Sequence, residues 1–596
     1  MTATREPEEQ LEQGPDAKKL KLEQEVTQNH SHAKGVAPVK KQFLVDNDRT
    51  DGSIDNDDEA EGNGLKERAV NSVGGGMKSK NRGTNKNRVF HQPRETVKIC
   101  SQAKDGGVCQ YGANCRYEHD ITKYIESKPI DLEGVCPVFQ AIGYCPSGIK
   151  CRWLKSHFEN NSLVVDEEKK LATAEVNYEV HRVAAKIQND LQRKKYSFEK
   201  SEQYIKYMEQ QRKDESAAYI EPPFKPTEKK KLHLSKAKIL SPLTTVGNLP
   251  YRRLMRELGA EVTYSEMALC LPLIQGSKSE WALARAHSNE IGGFGVQIAT
   301  SKEWQAIKAA EAVAELAPQS SEINLNCGCP IDLLYRQGAG SALMDSPARI
   351  LRIIRGMSAV SGDIPVTIKM RTGTRDGHNT AKNLMGRLMD EAPVSSITLH
   401  GRSRAQRYTK LADWEYIKET AEFIKEQRQE KELQPWIIGN GDIFSWYDWY
   451  DKVENYGVDS VMVARGALIK PWIFQEIDAK QYLDIPATER LDILKKYAYY
   501  GLEHWGADSY GISLTRRFMC EFMSFTHRYV PIGILEYLPP KINERPPLWK
   551  GRNELETLLG SGDYKDWIKI SEMFLGPAQE EFEFTPKHKS NAYEKS

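Results

Sequence analysis

From residue 236 onward the chain alternates short β-branched runs with segments of helical length, and this alternation restricts the fold more than any other feature. The runs lie at 238–245, 261–267, 294–300, 322–328, 365–371, 395–401, 435–440 and 459–464. Neighbouring parallel strands need a crossover between them, and a helix supplies it. Eight such units close into a TIM (β/α)8 barrel, expected here over 236–473; a doubly wound open sheet is the alternative arrangement of the same elements. After Trp472 the strand alternation stops, while 487–505 and 514–529 have helical spacing. A C-terminal helical domain is therefore expected over 474–582, followed by a polar tail at 583–596.

The reactive residues can be tested against this frame, because such barrels carry their chemistry at the C-terminal ends of the strands. The run 322–326 leads into Cys327, Gly328, Cys329 and Pro330; Lys369 and Arg371 end the fifth run, and His400 with Arg402 follows the sixth. Asn440, Gly441 and Asp442 end the seventh; Ala464, Arg465 and Gly466 end the eighth. Glycines in the last two places let backbone N–H groups approach a phosphate, with Arg465 adding charge. Neither a GxxxxGKS/T loop nor a strand-linked GxGxxG is present, which argues against a nucleoside triphosphatase and a Rossmann site and favours a mononucleotide such as FMN.

Ahead of the barrel, six of the ten cysteines fall between Cys100 and Cys151. Cys100, Cys109, Cys115 and His119 follow C-x8-C-x5-C-x3-H, three thiolates and an imidazole suited to tetrahedral zinc. Cys136, Cys145, Cys151 and His157 repeat the first two intervals but end on x5, which leaves His157 open as the fourth ligand. The segments 94–125 and 132–160 resemble CCCH zinc fingers, whose usual ligand is RNA. Tyr111, Tyr117, Phe139, Tyr144, Trp153 and Phe158 lie among Arg116, Lys150 and Arg152, a mixture suited to stacking and phosphate contact, two or three of the aromatics being expected on RNA.

The formal net charge of +1, from 84 Lys and Arg against 83 Asp and Glu, hides a basic strip over 78–123 beside these cysteines. Residues 1–93 are polar and poor in aromatics, the composition of a disordered tail. Residues 161–235 read as a helical linker, with 165–213 a long exposed helix acting as a spacer that Pro222, Pro223 and Pro226 end. No apolar run suits a membrane span or signal peptide. The short basic group Lys18-Lys19-Leu20-Lys21 offers a nuclear address, so cytoplasmic and nuclear placement is expected.

Together, Ser241-Pro242-Leu243-Thr244-Thr245, Asn248-Leu249-Pro250-Tyr251-Arg252, Gln297, 326–330, 369–371, 400–408, 440–442 and 464–466 resemble the dihydrouridine synthase family, over roughly 95–590. With paired fingers in front, the chain is similar to those eukaryotic members that act on uridine 47 in the variable loop of tRNA. The resemblance implies that NADPH or NADH reduces FMN, that hydride passes to C6 of uracil, and that Cys329, a thiol titrating near neutral pH, protonates C5. It places Pro242, Leu243 and Thr244 along the flavin edge, Gln297 and Lys369 on its ring, and His400 between flavin and base. Asn440, Gly441, Asp442, Ala464, Arg465 and Gly466 complete the cofactor site. Asn326, Arg371 and Arg402 are expected on the uracil or its phosphate, and Cys327 is expected to be structural. A uracil in folded tRNA must be flipped out to reach such a site. The helical domain, with Arg516, Arg517, His527, Arg528, Lys541, Arg545, Lys550 and Arg552, is the expected RNA holder. A monomer with tRNA as partner, mRNA uridines as further substrates, is the resulting expectation. Two rivals remain: an RNA-binding protein or tRNA chaperone with a non-catalytic barrel, and an FMN-dependent dehydrogenase of free pyrimidines.

Overall fold

The β-branched runs become eight parallel strands in the computed structural model, which describes residues 35–45, 93, 95–104, 107–213, 225–408, 410–428, 434–538 and 540–587. They are β1 (Ile239–Leu240), β2 (Thr263–Tyr264), β3 (Phe294–Ala299), β4 (Glu322–Cys327), β5 (Val366–Arg371), β6 (Ser396–His400), β7 (Trp436–Asn440) and β8 (Ser460–Val463). The strand order is β1-β8-β7-β6-β5-β4-β3-β2, a ninth short parallel strand, Ala268–Leu269, pairs with the end of β3, and a parallel bridge from Ile239 to Val262 closes the ring. The first two strands are much shorter than their apolar runs. After β1 the chain turns away into a loop in which Thr245 takes a left-handed φ of 73°.

Helices such as Glu303–Leu316, Pro347–Val360 and Trp414–Arg428 cover the ring. Alternate residues of each strand face them: Ile323, Leu325, Ile368, Ile397 and Val461 are fully buried in this layer. At about 1.5–3 kcal/mol for each aliphatic side chain removed from water, this layer is the main source of stability. The other strand face looks into the barrel, where Ile239, Tyr264, Ile438 and Met462 fill one part and polar side chains the rest. Register sets the polar ends of the strands level: Lys369 lies opposite Asn326 and Thr398, Arg371 opposite His400, and His400 opposite Asn440.

The helical domain follows as expected, with Ala487–Trp505 packed on Ser509–Thr526 and the latter on Tyr564–Leu575. Three expectations fail outside the barrel. The spacer is broken into Glu167–Ala174, Ala185–Gln192 and Glu199–Lys213, and Glu179–Val180 pairs with Ala286–His287. Its sparse apolar residues, Leu191, Phe198, Tyr204 and Ile205, pack on the barrel helices, so it is a wrap and not a free arm. Residues 35–45, within the stretch read as disordered, lie on the helical domain: Ala37 and Val39 are buried with Ile534, Leu535 and Trp549, and Ala37 N–H donates to Arg545 O at 2.8 Å. The tail also folds back as far as Lys587, with Phe584 buried against Trp567. The Lys18-Lys19-Leu20-Lys21 group and the rest of 1–34 lie outside the described residues, as do 46–92, 214–224 and 588–596.

Candidate active site and zinc centres

The ends of β4 to β8 carry the expected residues to one rim. Asn326, next to last in β4, has Oδ1 accepting the backbone N–H groups of Gly328 and Cys329 at 3.1 and 2.9 Å, which fixes the turn bearing the Cys329 thiol. Arg371 braces that turn by donating to Gly328 O at 2.7 Å and ties it to Ser403 O at 3.0 Å. Lys369 Nζ donates to Asn440 Oδ1 at 2.9 Å, and Asn440 is itself held by Met462 O. Gln297 bonds Asn324 and Asn326 at 2.8 Å each.

Asp442 joins Arg402 and Arg465. Its carboxylate accepts from Arg402 Nη2 at 2.7 and 2.8 Å, from Arg465 Nη2 at 2.9 Å and from Ala412 N–H at 2.7 Å. Arg402 is wholly buried and also donates to Lys410 O, so it and Arg371 hold loops in place. Arg402 Nη1 lies 3.4 Å from His400 Nε2; a guanidinium only donates, so the imidazole proton sits on Nδ1. Gly441 has φ 134° and no room for a side chain, because a Cβ there would lie 2.5 Å from Ala412 Cβ. Arg465 opens the short helix Arg465–Ile469, Ala464 precedes it, and Gly466 packs its Cα against Ile443 O. Pro242 and Leu243 are half-buried and Thr244 is exposed on the loop after β1.

Electrostatics distinguish these groups. Burial, together with the neighbouring Arg371, lowers Lys369 to about 7. Burial and the four cations around it hold His400 well below the usual imidazole range, so it is neutral at physiological pH. Cys329 departs from the sequence reading: burial pushes its thiol above the ordinary value, and Arg371 and Lys369 offset this only in part. It does not titrate near neutrality; it stays protonated, the form a proton donor needs. Cys327 is fully buried and its thiol is raised by burial alone, as a structural residue's would be.

Lys369, Arg371, Arg402 and Arg465 surround this rim with Asp442 as the one carboxylate among the residues named. The donor set therefore fits an anionic ligand, and a mononucleotide phosphate and a reduced flavin both meet that demand. Several contributors were not singled out from sequence. Glu266 accepts from the strained Thr245 N–H, and Lys587 Nζ reaches Thr245 Oγ1 at 2.7 Å; Tyr408, part of the motif at 400–408 but given no role there, lies against Arg465 at 4.1 Å. Only the alternation of Glu322, Asn324 and Asn326 with apolar residues marks the polar interior of β4 in the sequence.

Each finger gathers its four residues. The ligand atoms of Cys100, Cys109, Cys115 and His119, and of Cys136, Cys145, Cys151 and His157, lie within 4.8 Å of one another in each set. His119 Nε2 and His157 Nε2 are buried without a hydrogen-bond partner, which fits them as zinc ligands. The longer last interval is taken up by a 3-10 turn, Leu154–Ser156, which returns His157 to the thiols. The fingers are unequal. Cys136, Val138, Cys151 and Trp153 belong to the main core, and Arg152 N–H donates to Ala507 O at 3.0 Å. The first finger instead exposes Tyr111 and Tyr117, with Arg116 4.8 Å over the Tyr117 ring. Phe139 stacks on His157 and Trp153 is buried, so these two serve structure.

The basic group of the helical domain also divides. Arg516 is buried on Ser571 Oγ and Gly576 O, burial lowers His527 to about 4, and Arg552 is clamped by Asp484 and Glu556. Arg516 and His527 are internal supports, and Arg552, at the surface, is engaged by its two carboxylates. Among the described residues no helix is long and apolar enough to cross a membrane.

Comparison with known proteins agrees with this geometry. Residues 239–525 match the family model described as dihydrouridine synthase (Dus), and 96–127 and 128–160 each match the DUS3L CCCH zinc finger domain. The tRNA-dihydrouridine(47) synthase (NAD(P)(+)) of Meyerozyma guilliermondii is 58% identical over 588 residues, covering 94% of this chain and 96% of that one. Proteins of the same name from Candida albicans and Scheffersomyces stipitis are each 55% identical, covering 95% and 98% of this chain and 96% and 98% of theirs. A barrel with Cys329 and a cationic rim at its mouth, two CCCH fingers and full-length identity of this order place the chain in the dihydrouridine synthase family.

Proposed function

We propose that this protein reduces the C5=C6 bond of uridine 47 in tRNA to 5,6-dihydrouridine, with FMN as bound cofactor and NADPH or NADH as reductant. The observation that carries the reading is the Cys329 thiol, kept protonated by burial and fixed by Asn326 at the rim that Lys369, Arg371, Arg402 and Arg465 make cationic. When bound and reduced, the flavin supplies the hydride that adds to C6. Cys329 breaks its S–H bond to place the proton on C5. The thiolate left behind lies where Arg371 and Lys369 stabilise it, and a solvent proton restores it. Lys369 and Gln297 would hold the flavin ring, and Arg465, braced by Asp442, would meet the cofactor phosphate, while Arg402 on the same carboxylate holds the loop at Lys410. His400, neutral with its proton on Nδ1, orients without adding charge.

The first finger, with Tyr111, Arg116 and Tyr117 outward, holds the RNA while the target base is flipped into the mouth. The same reading extends to a monomer present in cytoplasm and nucleus, with mRNA uridines in comparable loops as further substrates. Anaerobic titration tests the core of it. NAD(P)H should bleach a bound yellow flavin, and unmodified tRNA, but not free uridine, should restore the oxidised spectrum. No bound flavin would favour an RNA-binding protein; equal reoxidation by free uridine would favour a pyrimidine dehydrogenase.

A further inference from the structure

Below Asn326 and Gln297 the barrel interior holds further buried polar side chains, Asn324, Thr367 and Glu322, to which the reaction above gives no part, and the hydrogen bonds of the whole run point one way. The Gly328 and Cys329 N–H groups donate to Asn326 Oδ1, and Asn326 Nδ2 donates to Gln297 Oε1 at 2.8 Å. Gln297 Nε2 donates to Asn324 Oδ1 at 2.8 Å, and Asn324 Nδ2 to Thr367 Oγ1 at 2.9 Å. The Thr367 hydroxyl donates to Glu322 Oε2, and Glu322 Oε1 takes the Tyr264 hydroxyl at 2.7 Å. Glu322, Asn324, Gln297 and Thr367 are each 1% exposed, so water does not substitute for any of these partners.

The direction is forced by chemistry. Backbone N–H groups only donate, so Asn326 must turn its oxygen to the Cys329 turn and its nitrogen down. Each amide below must repeat that orientation, because its oxygen is claimed from above and its nitrogen needs an acceptor below. The last donor is a hydroxyl, and the chain ends properly only on a group that accepts. Glu322, taking two hydroxyl donors, is that terminus. Gly295 makes space for it: a Cβ there would lie 2.7 Å from the Tyr264 ring and 2.9 Å from Glu322 Cγ.

We propose that Glu322, Thr367 and Asn324 are positioning residues for the reduction, setting both the amide orientation of Gln297 and the height of the Cys329 turn. This rests on the reductase reading. Gln297 has its oxygen accepting from Asn326 and one N–H donating to Asn324, so its amide keeps a second N–H to offer a bound flavin. If the chain below slackens, the amide can turn and offer its oxygen, and the Asn326 grip on Cys329 loosens with it.

The test is Thr367→Val, nearly the same shape without the hydroxyl, beside Thr367→Ser, which keeps it, both as FMN-loaded full-length protein. Thr367→Val should lower kcat on tRNA by about ten- to a hundredfold with KM little changed, since a misplaced donor costs the chemical step. It should also shift the absorption bands and midpoint potential of the bound flavin, readouts that do not depend on tRNA turnover. Thr367→Ser should restore both. Wild-type kcat and spectrum in Thr367→Val, or an equal loss in Thr367→Ser, would overturn the proposal. Should Thr367→Val not fold, Glu322→Leu is read in the same way: it removes both acceptor oxygens at the end of the chain, so the spectrum and kcat should move, and wild-type values would overturn the proposal. A flavin shift in Thr367→Val with no dihydrouridine made even by wild type would indict the reductase reading and not the chain.

Discussion

Cys329 is the residue on which the chemistry turns, and its environment predicts how it fails. Cys329→Ala should keep FMN and tRNA while product formation falls at least about a hundredfold, the usual scale for a lost general acid. Mass spectrometry of the tRNA and a tRNA-binding assay on the same preparation check this; normal yield would remove Cys329 from the mechanism. Lys369 makes a second prediction. With its amine lowered to about 7, it is mostly neutral in the cofactor-free protein above that pH, and an anionic cofactor must raise it. FMN binding at about pH 8 should therefore take up a proton, and affinity should weaken as pH rises from 7. Calorimetry in buffers of different ionisation enthalpy measures the uptake, and Lys369→Met should abolish it. Cys329, Lys369 and His400 were legible in the sequence because strand ends announce them. The state of Cys329 was not, since only the fold reveals that its turn is buried.

At the scale of elements, the strands of the barrel were readable because a β-branched run has one use when helices flank it. Their lengths were not. The run 238–245 yields only Ile239–Leu240, because Asn248 pulls the following loop off the sheet: it caps the helix Leu249–Glu257 through Tyr251 N–H and bonds Thr245 O and Tyr497 OH. Arg252 in the same motif is fully buried against Glu290 at 2.8 Å, with Gly247 O and Arg285 O completing its donors. Removing one partner leaves a buried charge, so Arg252→Ala should cost about 3–5 kcal/mol, measured by denaturant unfolding, and a loss below ~1 kcal/mol would mean the pair is replaceable. Segment 35–45 was misread for a different reason. Composition averaged over a polar tail conceals a few residues, here Ala37 and Val39, that find an apolar partner elsewhere. Val39→Asp should release it, accelerating hydrogen exchange at Ala37 and Lys40, whose amides bond Arg545 O and Ile534 O, while the barrel keeps its protection.

Over the whole molecule, the barrel, the wrap and the second finger share one apolar core, while the first finger packs Ile99 and Tyr124 on Ile149 and Leu154 of the second and turns Tyr111 and Tyr117 to solvent. Sequence spacing distinguished the fingers only by the longer last interval before His157; packing shows that the second is the one seated in the main core. Cys136→Ser should lower the melting temperature of the whole protein by at least ~5 °C, because its zinc site is seated in that core. Cys100→Ser should leave the barrel's melting nearly unchanged and weaken tRNA binding instead. A reversed pattern would exchange the two roles.

The central claim is tested most directly by incubating purified protein, FMN and NADPH with unmodified tRNA and mapping the products by mass spectrometry. The account predicts a gain of two hydrogens at uridine 47 of the variable loop, absent with Cys329→Ala. Unmodified uridine 47 after incubation with flavin-loaded, tRNA-binding protein would contradict it.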